Sequence, residues 1–374
     1  MYRKTWMEIN LNAIKENVHY IKSICKKNVM AVLKADGYGC GDIHVCQAAL
    51  EGGADSVAVS SLEEAIVLRN EGYTGSILIL GTVSPSDVSV LIHYGIACAA
   101  FSTSWVKEIM QYDVKDLLVH LVVDTGMNRI GFKNNQELVE AFHILEEAGC
   151  TIEGIFTHFY SAEETDHTLT NKQFALFKQA VRSLPHPVPL VHCDNSDATF
   201  FHHDDISNMC RVGISMYGIS TYDTSLQYPI SLFTTSMLCK KVAKGETIGY
   251  GHTYTTEEEE YIITCPIGYA DGLVRTNQGR KVYVDNSYGT IVGRICMDQV
   301  MIKVDHEIKD GTKVEIFGPH ISLESMAEEL NTIPYEIICL ISGRVTRVYT
   351  DGEKVISEQN DRVLRSEVQN GYNL

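Results

Sequence analysis

The sequence contains no apolar run near the ~20 residues needed to span a bilayer. Its first ten residues, Met1–Asn10, lack the apolar centre of a secretory signal. A cytoplasmic protein is therefore expected, without a membrane partner in this chain. Positive charge is scarce as well: 31 Lys and Arg stand against 48 Asp and Glu, a net charge of −17. That balance argues against broad nucleic-acid binding, which needs a basic face. It leaves room for a small phosphorylated ligand, because a local cradle of backbone N–H groups can bind one. The 11 cysteines include no Cys-x-x-Cys pair, so they read as reduced thiols, and neither a metal site nor a disulfide framework is expected. No Gly-x-Gly-x-x-Gly follows a strand-like run with an acidic residue beyond it, which weakens a dinucleotide-binding reading.

What the sequence does contain is a regular alternation. At 374 residues with 45% apolar content, one very large domain or two ordinary ones are expected. A strand-like Thr5–Asn10 leads into helical spacing at Leu11, Ile14, Val18, Ile21 and Ile24, with Asn10 as N-cap. Apolar runs then recur at Val29–Leu33, Ser56–Val59, Ile77–Leu80, Ile96–Phe101, Leu117–Val123, Ile152–Phe156, Val188–Val191 and Cys210–Ile214. Helix-like segments separate them, including 42–52, 61–70, 103–112, 134–147 and 169–183. This predicts an α/β fold, a parallel (β/α)8 barrel over residues 1–232, with a doubly wound open sheet as the competing arrangement. From Phe233 the runs shorten and turns crowd in at Lys244-Gly245, Asn286–Gly289 and Asp310-Gly311. Residues 233–374 are read as a mainly antiparallel β domain with one helix, N-capped by Ser322 and ending near Leu330.

Barrel active sites lie at the C-terminal ends of the strands. Polar residues gather there. The first apolar run ends on Lys34, followed by glycines around Tyr38; the fifth leads into Asp124–Arg129, the sixth into Thr157-His158 and the seventh into His192–Ser196, while the eighth carries Arg211, Gly213 and Ile214. A lysine ending a buried strand is either a Schiff-base former or a side chain that snorkels into water. His158 alone is equally a satisfied core histidine, and Ser196 alone a helix cap. Only together, at matched strand ends, do they read as a site.

The motifs Ala31–Gly41, Asp124–Arg129, His192–Ser196, Arg211–Gly218, Ile267–Gly272 and Gly293–Gln299 occur in the order in which the alanine racemase family carries them. The chain resembles that family in both halves. The resemblance implies pyridoxal 5′-phosphate (PLP) as cofactor and a homodimer with active sites at the interface. It implies that Lys34 binds the cofactor covalently and acts as one catalytic base, with Tyr250 from the partner subunit as the other. Arg211 would contact the pyridine nitrogen, and His158 would link Arg211 to that tyrosine. Arg129 would hold the phenolic oxygen and approach the substrate carboxylate. Tyr38, Ser196, Gly213 and Ile214 would bind the phosphate. Met297 would lie near the substrate carboxylate, and Tyr269 and Arg275 would line the access route.

Three positions depart from the family pattern. A lysine common two residues before Asp124 is Val122 here, and a histidine is replaced by Cys40. Near the C-terminus Ile-Ser-Tyr-Arg-Val becomes Ile341-Ser-Gly-Arg-Val345. Gly343 removes a phenol beside the substrate, which predicts room for serine or a larger amino acid as well as alanine. The expected function is a PLP-dependent amino-acid racemase acting on alanine and serine and supplying D-amino acids for peptidoglycan. The alternatives are a serine-preferring or broad-specificity racemase, a decarboxylase of the same fold type, or a non-catalytic PLP-binding protein.

Overall fold

The computed structural model describes residues 2–223 and 225–362. The chain divides into two compact units. One comprises Ile14–Gly37 and Asp42–Gln227; the other comprises the residues up to Ala13, Tyr38–Gly41 and the residues from Tyr228 onward. A single cut between 232 and 233 therefore does not describe the chain. It would split the strand Ile230–Thr235, which pairs antiparallel with β1 (Thr5–Asn10). A short strand cannot stand alone with its backbone groups unpaired. The pairing therefore assigns both segments to one unit.

The first unit is the barrel. Its strands are β2 (Asn28–Val32), β3 (Ser56–Val59), β4 (Ile77–Ile79), β5 (Ala97–Ala100), β6 (Leu118–Val122), β7 (Thr151–Phe156), β8 (Leu190–His192) and β9 (Met209–Val212). They pair in parallel, in sequence order, and β9 closes on β2. Each apolar run lands on a strand because both faces are covered, which selects continuous Val, Ile, Leu and Ala over alternation. Helices fill the crossovers, among them Leu62–Asn70, capped by the Ser61 hydroxyl on the Glu64 N–H, and Asn135–Glu147, capped by Asn134. The helix Val88–Tyr94 was not anticipated. It is only seven residues long and ends on Gly95 in the left-handed region, too short for a clear period.

The second unit is a ten-stranded sheet in which β1 lies between Ile230–Thr235 and Thr346–Asp351, the latter pairing in parallel. All its other pairings are antiparallel. The helix Leu323–Leu330 starts at its Ser322 cap as expected, and a second helix, Pro334–Cys339, follows. The expected turn at Asn286–Gly289 lies two residues earlier. Lys281–Val284 and Ser287–Ile291 form a hairpin across Asp285-Asn286, both with positive φ. Asp and Asn tolerate that conformation, and two such residues match the twist of the flanking strands. Among the described residues no helix is long and apolar enough to cross a membrane.

Candidate active site

Lys34 follows β2 after one residue, Leu33, and is exposed. The turn Lys34–Gly39 is helical but wound left-handed: Ala35, Asp36, Gly37 and Tyr38 have φ of 55°, 56°, 57° and 59°. For non-glycine residues this conformation costs about 1–2 kcal/mol each, so the surroundings must enforce it. The Gly37 N–H bonds back to the Leu33 carbonyl at 2.8 Å. The Tyr217 hydroxyl donates to the Gly37 carbonyl at 2.5 Å, and the Ala35 N–H donates to Glu64 at 2.7 Å. Glu64 also accepts the Ser60 N–H at 2.7 Å, which clamps the ends of β2 and β3 together. Lys34 is thereby held on a strained, fixed turn at the strand's C-terminal end.

Arg211 lies on β9, 4% exposed. Its guanidinium donates to the Thr157 carbonyl at 2.7 Å, to the His192 carbonyl at 3.0 Å and to His192 Nδ1 at 2.9 Å. It lies 3.4 Å from His158 Nδ1 and over the Phe156 ring. Burial lowers its pKa to about 10, so it stays charged at neutral pH. His158 is pushed down to about 3, first by burial and then by the positive charges of Arg211, Arg129 and Lys34. It is a neutral imidazole. Arginine can only donate, so His158 accepts at Nδ1 and carries its proton on Nε2. The buried Gln173 side chain fixes this end of the barrel by donating to Thr125 and to the His158 carbonyl, both at 3.0 Å. No sequence motif pointed to Gln173.

Ser196 Oγ accepts the Gly213 N–H at 3.0 Å and the Ser215 N–H at 3.4 Å. Its own proton is left to donate to an anion. The Gly213 N–H is thus engaged by Ser196, while Ile214 opens the short turn Ile214–Tyr217 next to it. Arg129 is exposed on the loop after β6, where Asp124 accepts the Gly126 and Asn128 N–H groups at 3.0 Å each. Val122, at the position of the family lysine, is 3% exposed on β6. Around Asp194, two positions before Ser196 in sequence, Cys193, Asp194, His202 and Asp204 could hold a metal ion by spacing. The Lys27 ammonium already supplies positive charge there, 2.6 Å from Asp194, 2.7 Å from Asp204 and 2.6 Å from the Ser207 hydroxyl.

The other unit holds the remaining candidates. Tyr38 is buried, its ring 6.0 Å from that of Tyr335, and burial raises its phenol pKa, with smaller contributions from Tyr335 and Cys339. The next carbonyl, Gly39, accepts twice from Arg347, at 3.0 and 2.8 Å. A Cβ at Gly41, whose φ is +88°, would come 1.9 Å from the Tyr349 hydroxyl, so only glycine fits. Tyr250 sits 69% exposed between Gly249 and Gly251, both with positive φ. Tyr269 and Met297 are brought together by backbone bonds from Tyr269 to Cys296 and from Ala270 to Met297, each 3.1 Å. Arg275 opens a short helical turn nearby in sequence, Arg275–Asn277.

Gly343 joins this cluster. Ser342 donates its hydroxyl to the Ala270 carbonyl at 2.9 Å and its N–H to the Asp271 carbonyl at 3.1 Å, and Arg344 bonds Asp298 at 2.6 Å. Asp271 is fully buried and is paired with Arg3. The sequence motif contained Asp271, but nothing in it disclosed this organising part. The space expected beside Gly343 is bordered: a Cβ there would lie 2.8 Å from Asp361 Oδ2.

Residues 9–221 match the family model described as alanine racemase, N-terminal domain, and residues 230–349 match that described as alanine racemase, C-terminal domain. Alanine racemase 1 of Bacillus subtilis is 39% identical over 374 residues, covering 96% of this chain and 96% of that protein. An alanine racemase of Geobacillus stearothermophilus is 38% identical over 375 residues, covering 96% and 97%. The solved alanine racemase of Bacillus anthracis with bound L-Ala-P superposes with a TM-score of 0.93 at 37% identity, covering 98% of this chain and 99% of that one. A histidine racemase of Leuconostoc mesenteroides reaches a TM-score of 0.87 at 27% identity, covering 93% and 98%.

Proposed function

Because the chain belongs to the alanine racemase family, a family of PLP-dependent amino-acid racemases, we propose that it interconverts L- and D-alanine and accepts serine as well. The observation that carries the mechanism is the Arg211 guanidinium, buried and charged, with a neutral His158 beside it and Lys34 close enough to depress that imidazole.

The residues present suit the cofactor. The Ser196 hydroxyl, with its lone pairs occupied by Gly213 and Ser215, is left to donate to a phosphate, and the Ile214 backbone lies beside it. The family assigns Tyr38 to the same phosphate. Lys34 would hold the cofactor through its amine, and Arg211 would meet the ring nitrogen with a group that cannot give up its proton at neutral pH. When bound, PLP delocalises the electron pair left by loss of the substrate α-proton.

The chain's own groups do the rest. Arg129 approaches the substrate carboxylate; the family assigns Met297 to the same carboxylate and Tyr269 to the access route. Lys34 Nζ takes or returns the α-proton on one face, and Tyr250 of a second copy serves the other face. His158, protonated on Nε2 only, donates toward that tyrosine and orients its hydroxyl. A homodimer accounts for three large exposed side chains, Tyr250 at 69%, Met297 at 53% and Tyr269 at 41%, which a second copy would cover. D-amino acid supply to the cell wall is the proposed role.

Serine enters through Gly343. The side chain lost there is replaced by the Asp361 carboxylate, beside a cavity of about 290 Å³ lined also by Ala270 and Ser342. A polar acceptor suits a hydroxyl better than a methyl group. The histidine racemase neighbour supports varied side-chain acceptance on this fold. The test is a panel of alanine, serine, lysine and arginine, read by loss of optical rotation and by α-deuterium exchange. Racemisation lost in Lys34→Ala supports the reading. Retained activity in that variant, or release of CO2 without racemisation, refutes it.

A further inference from the structure

Four consecutive barrel strands place polar side chains in one line: His120 on β6, Glu153 on β7, His192 on β8 and Arg211 on β9. His120 and His192 are 1% and 0% exposed. Arg211 Nη1 lies 2.9 Å from His192 Nδ1, His192 Nε2 lies 2.9 Å from His120 Nδ1, and His120 Nε2 lies 3.7 Å from Glu153 Oε2.

The proton positions follow from the donors. Arginine only donates, so His192 accepts at Nδ1 and carries its proton on Nε2. That proton goes to His120 Nδ1. His120 in turn carries its proton on Nε2, facing the carboxylate. Both hydrogen bonds therefore point from Arg211 toward His120, with the Glu153 carboxylate 3.7 Å beyond, and bonds aligned in this way polarise one another. Burial holds both imidazoles neutral, His192 well below its ordinary pKa and His120 below it too.

Two features of the fold make room for the line. The β6–β7 ladder pairs Val119 with Ile152 but His120 with Gly154, so Glu153 is an extra residue in a bulge. Bulges re-aim side chains, and this one brings a carboxylate to the imidazole. Gly154 has no side chain to spare: a Cβ there would lie 2.5 Å from His120 Nδ1 and 2.8 Å from the Leu190 carbonyl. Phe156 stacks on His192 at 5.0 Å and lies under the Arg211 guanidinium. Apolar packing needs neither a bulge nor two histidines in a barrel core.

We propose that Glu153, His120 and His192 are positioning residues that orient the Arg211 guanidinium and place a distant negative charge behind it, which limits how strongly Arg211 draws on the cofactor ring. The proposal rests on the reading that Arg211 meets the ring nitrogen. Glu153 does this from the far end of the line, without contact with cofactor or substrate.

The experiment uses 15N-histidine-labelled holoenzyme, with tautomers read by long-range 15N–1H correlation, together with the absorption spectrum of bound PLP and steady-state kinetics. Wild type is expected to show His120 and His192 neutral with the proton on Nε2. His120→Phe should leave the His192 Nε2 proton without its acceptor and shift that nitrogen's resonance, move the PLP absorption band and lower kcat about tenfold with KM nearly unchanged. Glu153→Gln, at a half-buried position, should move the band in the same direction by less, and Glu153→Asp should restore it. A wild-type proton on Nδ1 of either imidazole overturns the proposal. So do Glu153→Gln and His120→Phe enzymes with wild-type spectra while Arg211→Gln alters the band. A band that Arg211→Gln also leaves unmoved instead refutes the placement of Arg211 at the cofactor, which the tautomers alone do not test.

Discussion

Replacing Lys27 with methionine keeps most of the stem and removes only the charge. The Lys27 side chain is 12% exposed, and its partners Asp194 and Asp204 are 1% and 0% exposed. Burial alone would raise Asp204. Bonds from the Lys27 ammonium, from Ser207 and from the Ile206 N–H outweigh it and bring Asp204 down to about 2. Removing one partner of a buried pair costs about 3–5 kcal/mol, because the other charge is left uncompensated. Here two carboxylates lose that ammonium, Asp194 keeping its contact with His202 at 2.6 Å, so a loss within that range is expected, against a total stability of about 5–15 kcal/mol. The assay is urea unfolding. With m near about 3 kcal/mol/M, the midpoint should fall by roughly 1–2 M with m unchanged. Lys27→Met combined with Asp204→Asn should lose less than the sum of the two single changes. Asp194 is followed by Asn195 and Ser196, so Lys27→Met should also weaken PLP binding. A loss below about 1 kcal/mol, or strict additivity with Asp204→Asn, would refute the argument.

Acid should destabilise the fold early. Burial first, and then neighbouring positive charge, holds His158 near a pKa of about 3, and His120 and His192 are lowered too. Unfolded histidines protonate near about 6.5, so this contribution is complete above that pH. For His158 it declines as pH falls toward about 3, by up to about 1.4 kcal/mol per unit, and His120 and His192 act in the same direction. Urea midpoints unchanged between pH 7.5 and 5 would contradict the neutral assignment. Gly343→Tyr must displace Asp361, 2.8 Å from its Cβ, and should raise the alanine-to-serine ratio of kcat/KM; an unchanged ratio removes Gly343 from specificity. Gly41→Ala should cost about 1–3 kcal/mol through overpacking on Tyr349, and Tyr349→Phe in that background should recover part of it in thermal melts.

The barrel was legible because its strands are covered on both faces, so Ser56–Val59 and Thr151–Phe156 lie within a residue of their apolar runs. Helix starts at Asn10 and Ser322 were legible because caps are local hydrogen bonds. The β unit was read less well. Ile230–Thr235 and Thr346–Asp351 owe their places to β1, which lies more than two hundred residues away in sequence. The Asp285-Asn286 turn depended on two positive φ values that neighbouring Asn and Gly residues could equally have supplied.

The sequence by itself determined which chemical groups end the strands: the amine of Lys34, the guanidinium of Arg211, the imidazole of His158 and the hydroxyl of Ser196. That follows because strand ends and turn residues are local properties. The tertiary structure decided their states. His158 is neutral first because the fold draws it away from solvent and then because Arg211, Arg129 and Lys34 stand close to it. Arg211 is aimed through His192 because β6 to β9 close side by side, with Gly154 leaving room for His120. The opening foreseen at Gly343 is flanked by Asp361 because a side chain eighteen positions later folds back beside it. Charge state, tautomer and pocket shape are set by through-space distance and burial, and neither is encoded in the spacing of residues along the chain.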